Sequence, residues 1–275
     1  MTRTTIEWTH YLTMAGLVIQ GHTCNAWWGC SKVSPACDNC YAWILDGRRL
    51  FDTETHWESA PRLVFPNWHK PALAWNRHAE RSGYPERVFC GSMCDVMERN
   101  DKDGDLNALR QQLYDLIEQT PNLIWMLLTK RPHEYKKFLR KAWLKDPPAN
   151  VWLLTTVENA DYLWRIDEEL KAPAVVHGIS VEPMLGPVKL PKQFLRLGNR
   201  AWVIAGGESG RGKGIRPSLP DWFRDLRNQC VDAGVPFFFK QWGNHNSELI
   251  QLANKHDAGR LLDGREWNEY PGVQY

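Results

Sequence analysis

Apolar residues fall along this chain in short runs rich in β-branched and aromatic side chains. Each run is followed by polar residues and then by a helical pattern. The runs are Leu17–Gln20, Arg87–Cys90, Leu123–Leu128, Val151–Thr155, Ala174–Ile179, Ala201–Ala205 and Val235–Phe239. Between them the spacing predicts helices at Tyr41–Leu50, Pro66–Arg81, Asp105–Gln119, His133–Trp143, Ala160–Leu170 and Pro220–Ala233. Strands alternating with helices imply parallel pairing through right-handed crossovers. The runs are continuously apolar rather than alternating, so both faces of each strand are covered. The expected fold is an α/β full or partial (β/α) barrel of parallel strands, one domain over residues 1–275 with a C-terminal extension at 244–275.

In such barrels the pocket lies at the carboxyl ends of the strands, so the residues just after each run face one shared site. Here they are Gly91-Ser92-Met93-Cys94-Asp95, Thr129-Lys130-Arg131-Pro132, Thr156-Val157-Glu158-Asn159, Ser180-Val181-Glu182-Pro183, Gly206-Gly207-Glu208-Ser209-Gly210 and Lys240-Gln241-Trp242-Gly243. Helix capping accounts for glycine, serine, threonine and asparagine at such turns. It does not account for Lys130, Glu158, Glu182 and Glu208. Carboxylates and a lysine at strand ends either pair with one another or bind a zwitterionic ligand such as an amino acid moiety.

Composition narrows the class without naming it. The 275 residues are 43% hydrophobic and 24% charged with a net charge of +2, which permits a nucleic-acid partner without requiring one. The apolar stretch Met14–Gln20 is too short to span a bilayer, and the N-terminus lacks the pattern of a signal peptide. It reads as a buried strand in a cytoplasmic protein with no membrane contact. Fifteen tryptophans are a departure from average usage. Core and rim packing accounts for most of them, leaving a minority to form a stacking surface for bases.

The stretch Trp27–Tyr41 holds three of the seven cysteines, spaced C-x6-C-x2-C at Cys30, Cys37 and Cys40. Pro35, Asp38 and Asn39 are turn formers that let the loop fold back on itself. Three thiolates without a fourth suit an iron–sulfur cluster with one iron open to a small ligand, whereas structural zinc is closed by four ligands. Cys24, just upstream, would complete such a zinc site, so a zinc-stabilised nucleic-acid-binding protein without turnover is the alternative. Of the other thiols, Cys90, within an apolar run, and Cys94 each stand either as packing or as a hydrogen-atom donor, and Cys230 sits in a helical pattern and reads as core.

The loop Trp27–Tyr41 and the strand-end motifs, in this order and on to Asp263-Gly264-Arg265, resemble a phage protein family described by a three-cysteine motif. That family in turn resembles the radical S-adenosylmethionine superfamily. The first gap is three residues wider than the usual C-x3-C-x2-C, and Asn39 stands where an aromatic residue is usual, with Tyr41 following the third cysteine. The resemblance implies that the loop 24–41 binds a 4Fe-4S cluster through Cys30, Cys37 and Cys40, and that the open iron chelates S-adenosylmethionine. It implies cofactor contacts from Ser92, Met93, Thr129, Thr156, Glu158, Ser180, Glu182, Gly206 and Gly207, with Cys94, Lys130 and Glu208 in catalysis. Reductive cleavage would give a 5′-deoxyadenosyl radical, fed by an external electron donor, for an isomerase or lyase.

The substrate expected is DNA or a nucleotide, for example an amino-acid-substituted thymidine isomerised during hypermodification of phage DNA. A nucleic-acid repair or base-modifying lyase is the nearest competitor. The basic groups Lys136, Lys137, Arg140, Lys141 and Lys145, and Arg211, Lys213 and Arg216, are the candidate contacts to phosphate, although the first group is also what a solvated helix face looks like.

Overall fold

The computed structural model describes residues 3–13, 16–47, 56–99, 106–210 and 214–272. Two short strands, β1 (Tyr11–Leu12) and β2 (Val18–Ile19), form an antiparallel ribbon. The main sheet contains β3 (His22–Cys24), β4 (Glu86–Cys90), β5 (Leu123–Thr129), β6 (Val151–Thr156), β7 (Val176–Val181), β8 (Ala201–Gly206) and β9 (Phe237–Gln241). Its strands lie in sequence order and every neighbouring pair is parallel. The helices are α1 (Tyr41–Asp46), α2 (Lys70–Ser82), α3 (Leu106–Glu118), α4 (Tyr135–Phe138), α5 (Trp164–Glu169), α6 (Lys192–Leu195), α7 (Pro220–Ala233) and α8 (Lys255–Ala258).

Local chemistry sets the limits of the long helices. Pro220 opens α7, and Gly234 closes it in the left-handed region at φ 66°. Proline costs nothing at the first turn, where its missing N–H has no partner anyway, and glycine enters the left-handed region without a Cβ clash. The pattern repeats in α2, with Pro71 in the first turn and Gly83 at φ 72°.

The sheet is curled. In a flat sheet β4 and β8 would stand roughly 19 Å apart, four strand spacings of about 4.8 Å. Instead the Arg87 guanidinium of β4 lies 5.2 Å from the Trp152 ring of β6 and 5.9 Å from the Trp202 ring of β8. Trp8 bridges the same gap, 4.7 Å from Phe89 and 6.1 Å from Trp202. Only a concave sheet brings these side chains together, so its inner face is a barrel interior with an aromatic floor. The edge strands β3 and β9 do not pair, which makes this a partial barrel. The chain's C-terminal segment covers the β9 edge, with Phe239 N donating to Trp267 O at 2.9 Å.

Alternation decides which residues face inward. Phe89, Ile124, Met126, Trp152, Leu154, Val176, Trp202, Ile204 and Phe238 share the inner cluster. Their sequence neighbours, such as Val88, Trp125, Leu153, Ile179, Val203 and Phe239, pack outward against the helices.

Several predicted boundaries shift. Leu17–Gln20 is not a sheet strand: Val18 pairs with Leu12 in the ribbon and is 53% exposed. His22–Cys24 takes that place, in register with Val88–Cys90. Met14 and Ala15 of the predicted strand, and residues 48–50 of the first predicted helix, lie outside the described residues. The helices expected at His133–Trp143 and Ala160–Leu170 each begin with a 3-10 turn, leaving α4 and α5 short. The strands expected at Ala174–Ile179 and Val235–Phe239 both end two residues later, which carries Ser180 and Lys240 out of loops and into the sheet.

Candidate functional site

Reading up the inner face, β6 to β9 pass from apolar residues to polar ones. Trp152 and Leu154 lead to Thr156, Val176 and Gly178 to Ser180 and Glu182, Trp202 and Ile204 to Gly206, and Phe238 to Lys240. Thr156 and Ser180 stand side by side in register on β6 and β7. Glu182 and Lys240 form an ion pair at 2.6 Å, with side chains 18% and 19% exposed. Gln241 Nε2 also donates to Glu182 at 3.4 Å. A Cβ on Gly206 would stand 3.2 Å from the Glu182 carboxyl carbon, so these groups share one small space. The mouth is a concave, half-buried patch carrying both signs of charge.

The three-cysteine loop lies over this mouth. It leaves β3 at Asn25, whose side chain accepts from Met93 N at 2.7 Å and donates to Ser92 Oγ at 2.9 Å. Trp28 exchanges two backbone hydrogen bonds with Leu63. Gly29 has φ 106°, and a Cβ there would lie 1.9 Å from His56 O, so only glycine passes this point. The 3-10 turn Pro35–Cys37 folds the loop back, with Cys40 N donating to Cys37 O at 3.4 Å. Cys40 then leads directly into α1, where the Tyr41 hydroxyl donates to Ser92 O at 2.6 Å.

On the far side the loop is clamped to the residues after β8. Asn39 Nδ2 donates to Glu208 Oε2 at 2.9 Å. Arg216 donates to the same carboxylate from its backbone N at 2.8 Å and from its guanidinium, and to Pro35 O at 2.8 Å. The loop therefore spans the mouth from the β3 edge to β8.

All three cysteines of the motif are free and partly exposed. Cys30 and Cys40 pack against Ala42, Trp57 and Met93. Burial pushes the Cys30 thiol up to about 12, against the opposing pull of the Arg131 guanidinium. Arg131 Nη1 donates to Cys30 Sγ at 3.6 Å and to Asp95 Oδ2 at 2.8 Å, while Nη2 donates to Ser31 O at 2.8 Å. Behind it, Glu98 pairs with Arg62 at 2.9 Å and accepts from Ser31 Oγ at 2.7 Å.

Cys24 belongs elsewhere. It packs on the outer face with Ala72, Val88 and Cys90, and burial pushes its thiol up to about 12. A four-thiolate zinc site with Cys24 does not form, because β3 turns that side chain away from the loop. Among the described residues no three histidine, cysteine or acidic side chains converge tightly enough for a single metal ion. Three soft thiols on one loop, beside apolar walls and an N–H donor, fit a larger iron–sulfur centre.

Several predicted site residues have other tasks. Glu208 is 3% exposed and holds the clamp, its oxygens accepting from Asn39 and Arg216. Glu158 is fully buried in an ion pair with Arg165 at 2.8 Å. Thr129 has the outward parity of Trp125 and Leu127, and its hydroxyl donates to Asp95 at 2.6 Å. Met93 is core, 4% exposed. Gly207 leaves room for protein backbone rather than for a ligand, since a Cβ there would lie 1.9 Å from Trp242 O. Cys94 is buried at 8% exposure, 3.9 Å from Asn25 Oδ1, and burial raises its thiol well above the usual range. Lys130 anchors through its backbone N to Asp95 at 3.0 Å, and its side chain is half-buried.

A family described as "Protein of unknown function (DUF5131)" matches residues 3–271, a span that includes the cysteine loop and every strand end. The chain belongs to that family. No curated protein matches this DUF5131 member. Among solved structures it is similar to a mutant of spore photoproduct lyase, at 13% identity and TM-score 0.45, covering 78% of this chain and 75% of that one.

Of the basic groups of this DUF5131 protein, Lys136, Lys141 and Lys145 are exposed, while Lys137, Arg140 and Arg216 make contacts within the chain. Arg140 pairs with Asp115 and Glu118, both at 2.5 Å, and Lys137 lies over the Phe138 ring at 4.8 Å. Arg216 is in the clamp, and Arg211 and Lys213 lie outside the described residues. Most tryptophans are core, but Trp43, in α1, and Trp164, at the start of α5, are exposed. Trp164 lies 5.6 Å from the His133 ring, and Trp43 lies beneath the Lys32 ammonium at 4.0 Å. No helix among the described residues is long and apolar enough to cross a membrane.

Proposed function

We propose that this chain is a radical S-adenosylmethionine enzyme. The observation that carries the reading is the position of the three-thiol loop, laid across the charged mouth of a parallel partial barrel. Cys30, Cys37 and Cys40 would hold a 4Fe-4S cluster. Glu182 and Lys240 offer complementary charges to the amino and carboxylate groups of the cofactor's methionine part, and Thr156 and Ser180 offer hydroxyls beside them. Ser92 stands at the junction of the loop with β4. When bound together, the cluster and S-adenosylmethionine supply one-electron chemistry and hydrogen-atom abstraction. The protein's own share is to bind, to orient, and to exclude water through the loop and its clamp.

The substrate proposed is a nucleobase of DNA, in an isomerase or lyase reaction driven by an external reductant. Exposed Trp164 with His133, and Trp43 with Lys32, give the rim flat faces on which a base can stack. A modified thymine is the sharpest form of this proposal. The test is anaerobic purification with iron, sulfide and zinc analysis, then reduction and electron paramagnetic resonance with and without S-adenosylmethionine. Near four irons per chain and a spectrum that moves on adding the cofactor are expected. Stoichiometric zinc without iron would refute the reading.

A further inference from the structure

The guanidinium of Arg131 is held in a way that a simple loop brace does not require. It is 6% exposed, and one nitrogen, Nη1, is shared between Asp95 Oδ2 at 2.8 Å and the Cys30 sulfur at 3.6 Å. The other, Nη2, donates to Ser31 O at 2.8 Å and Ser31 Oγ at 2.9 Å. Asp95 is itself fixed by Thr129 Oγ1 at 2.6 Å, Lys130 N at 3.0 Å and Met97 N at 2.9 Å. The planar fork cannot turn away from the sulfur without breaking bonds on both nitrogens.

We propose that Arg131 sets the reduction potential of the centre held by Cys30, Cys37 and Cys40, by keeping a fixed N–H donor against the Cys30 sulfur. The inference rests on the radical-enzyme reading above. Hydrogen bonds to a ligating sulfur favour the more negatively charged, reduced state of a cluster and so raise its potential. Asp95 offsets part of the guanidinium charge, which leaves the directed hydrogen bond as the main influence. Lysine keeps the charge but lacks the fork, so it does not replace arginine here.

The test compares the reconstituted wild type with R131K and R131Q by potentiometric titration followed by electron paramagnetic resonance, without S-adenosylmethionine. Both variants are expected to hold iron and to show a more negative midpoint potential, R131Q the more so. D95N removes the opposing charge while Ser31 O and Oγ still hold Nη2, so its potential is expected to move positive. Unmoved potentials in R131K and R131Q overturn the inference, as does a null or negative shift in D95N. Iron lost from both arginine variants with unchanged circular dichroism overturns it too, in favour of a brace that only shapes the loop. A wild-type chain that binds no iron refutes the radical-enzyme reading itself and this inference with it.

Discussion

Replacing Glu208 by glutamine tests whether this residue clamps or catalyses. Its carboxylate accepts from Asn39 Nδ2 at 2.9 Å and from Arg216 N at 2.8 Å, as well as from Arg216 Nε at 3.1 Å and Nη2. Glutamine keeps one acceptor oxygen, but its NH₂ would face an N–H donor. Hydrogen bonds to charged groups contribute about 1.5–3 kcal/mol each. The Arg216 side chain is 34% exposed, so solvent screening reduces that figure and a net loss of about 2 kcal/mol is expected. For a chain of this size that corresponds to a fall in Tm of about 3–4 °C. The assay is thermal unfolding of the reduced, metal-free chain, paired with the rate at which a thiol reagent labels Cys37, which E208Q should increase. Combining E208Q with R216Q should cost little more than either change alone, because both cut the same contact. Wild-type unfolding and wild-type labelling in an E208Q protein that has lost turnover would refute the clamp and return Glu208 to the chemistry.

Alanine at Cys30, Cys37 or Cys40 should abolish the iron absorption, while C24A should spare it; loss of iron in C24A would show that Cys24 is a ligand after all. E182Q and K240M should each weaken S-adenosylmethionine binding about 10-fold to 100-fold by calorimetry, since each leaves one charge of the mouth without its partner; unchanged affinity would move the cofactor away from β7 and β9. On the outer face, burial pushes His177 down to about 4 and Glu169 well above the usual carboxylate range. The lowered His177 value contributes stability that is fully present above pH 6.5 and is lost as pH falls towards 4, by up to about 3 kcal/mol. Denaturant titrations from pH 7 to 4 should therefore show a shallower decline in H177Q than in the wild type, and identical slopes would contradict the assignment.

The number and order of the sheet strands after the first were legible in the sequence, because a strand covered on both faces must be apolar at every position. The cysteine loop was legible too, since closely spaced thiols and turn formers are local features. What stayed hidden was parity. A strand end misplaced by two residues puts Ser180 and Lys240 in a loop, and only the hydrogen-bond register with neighbouring strands shows that they line the mouth. Arg131 was visible as part of a polar turn, yet nothing local to it indicated that its fork meets Cys30, a hundred residues away in the chain.

Glu158, Glu182 and Glu208 show the division most plainly. Each follows a strand by one or two residues, and in sequence the three look alike. In the fold Glu158 is buried against Arg165, Glu182 meets Lys240 in the mouth, and Glu208 clasps Arg216 and Asn39. The sequence by itself determined that carboxylates stand at the strand ends. Their partners come from α5, β9, the cysteine loop and the segment after β8, and only the tertiary structure, which brings those elements to the strand ends, decided what each carboxylate does.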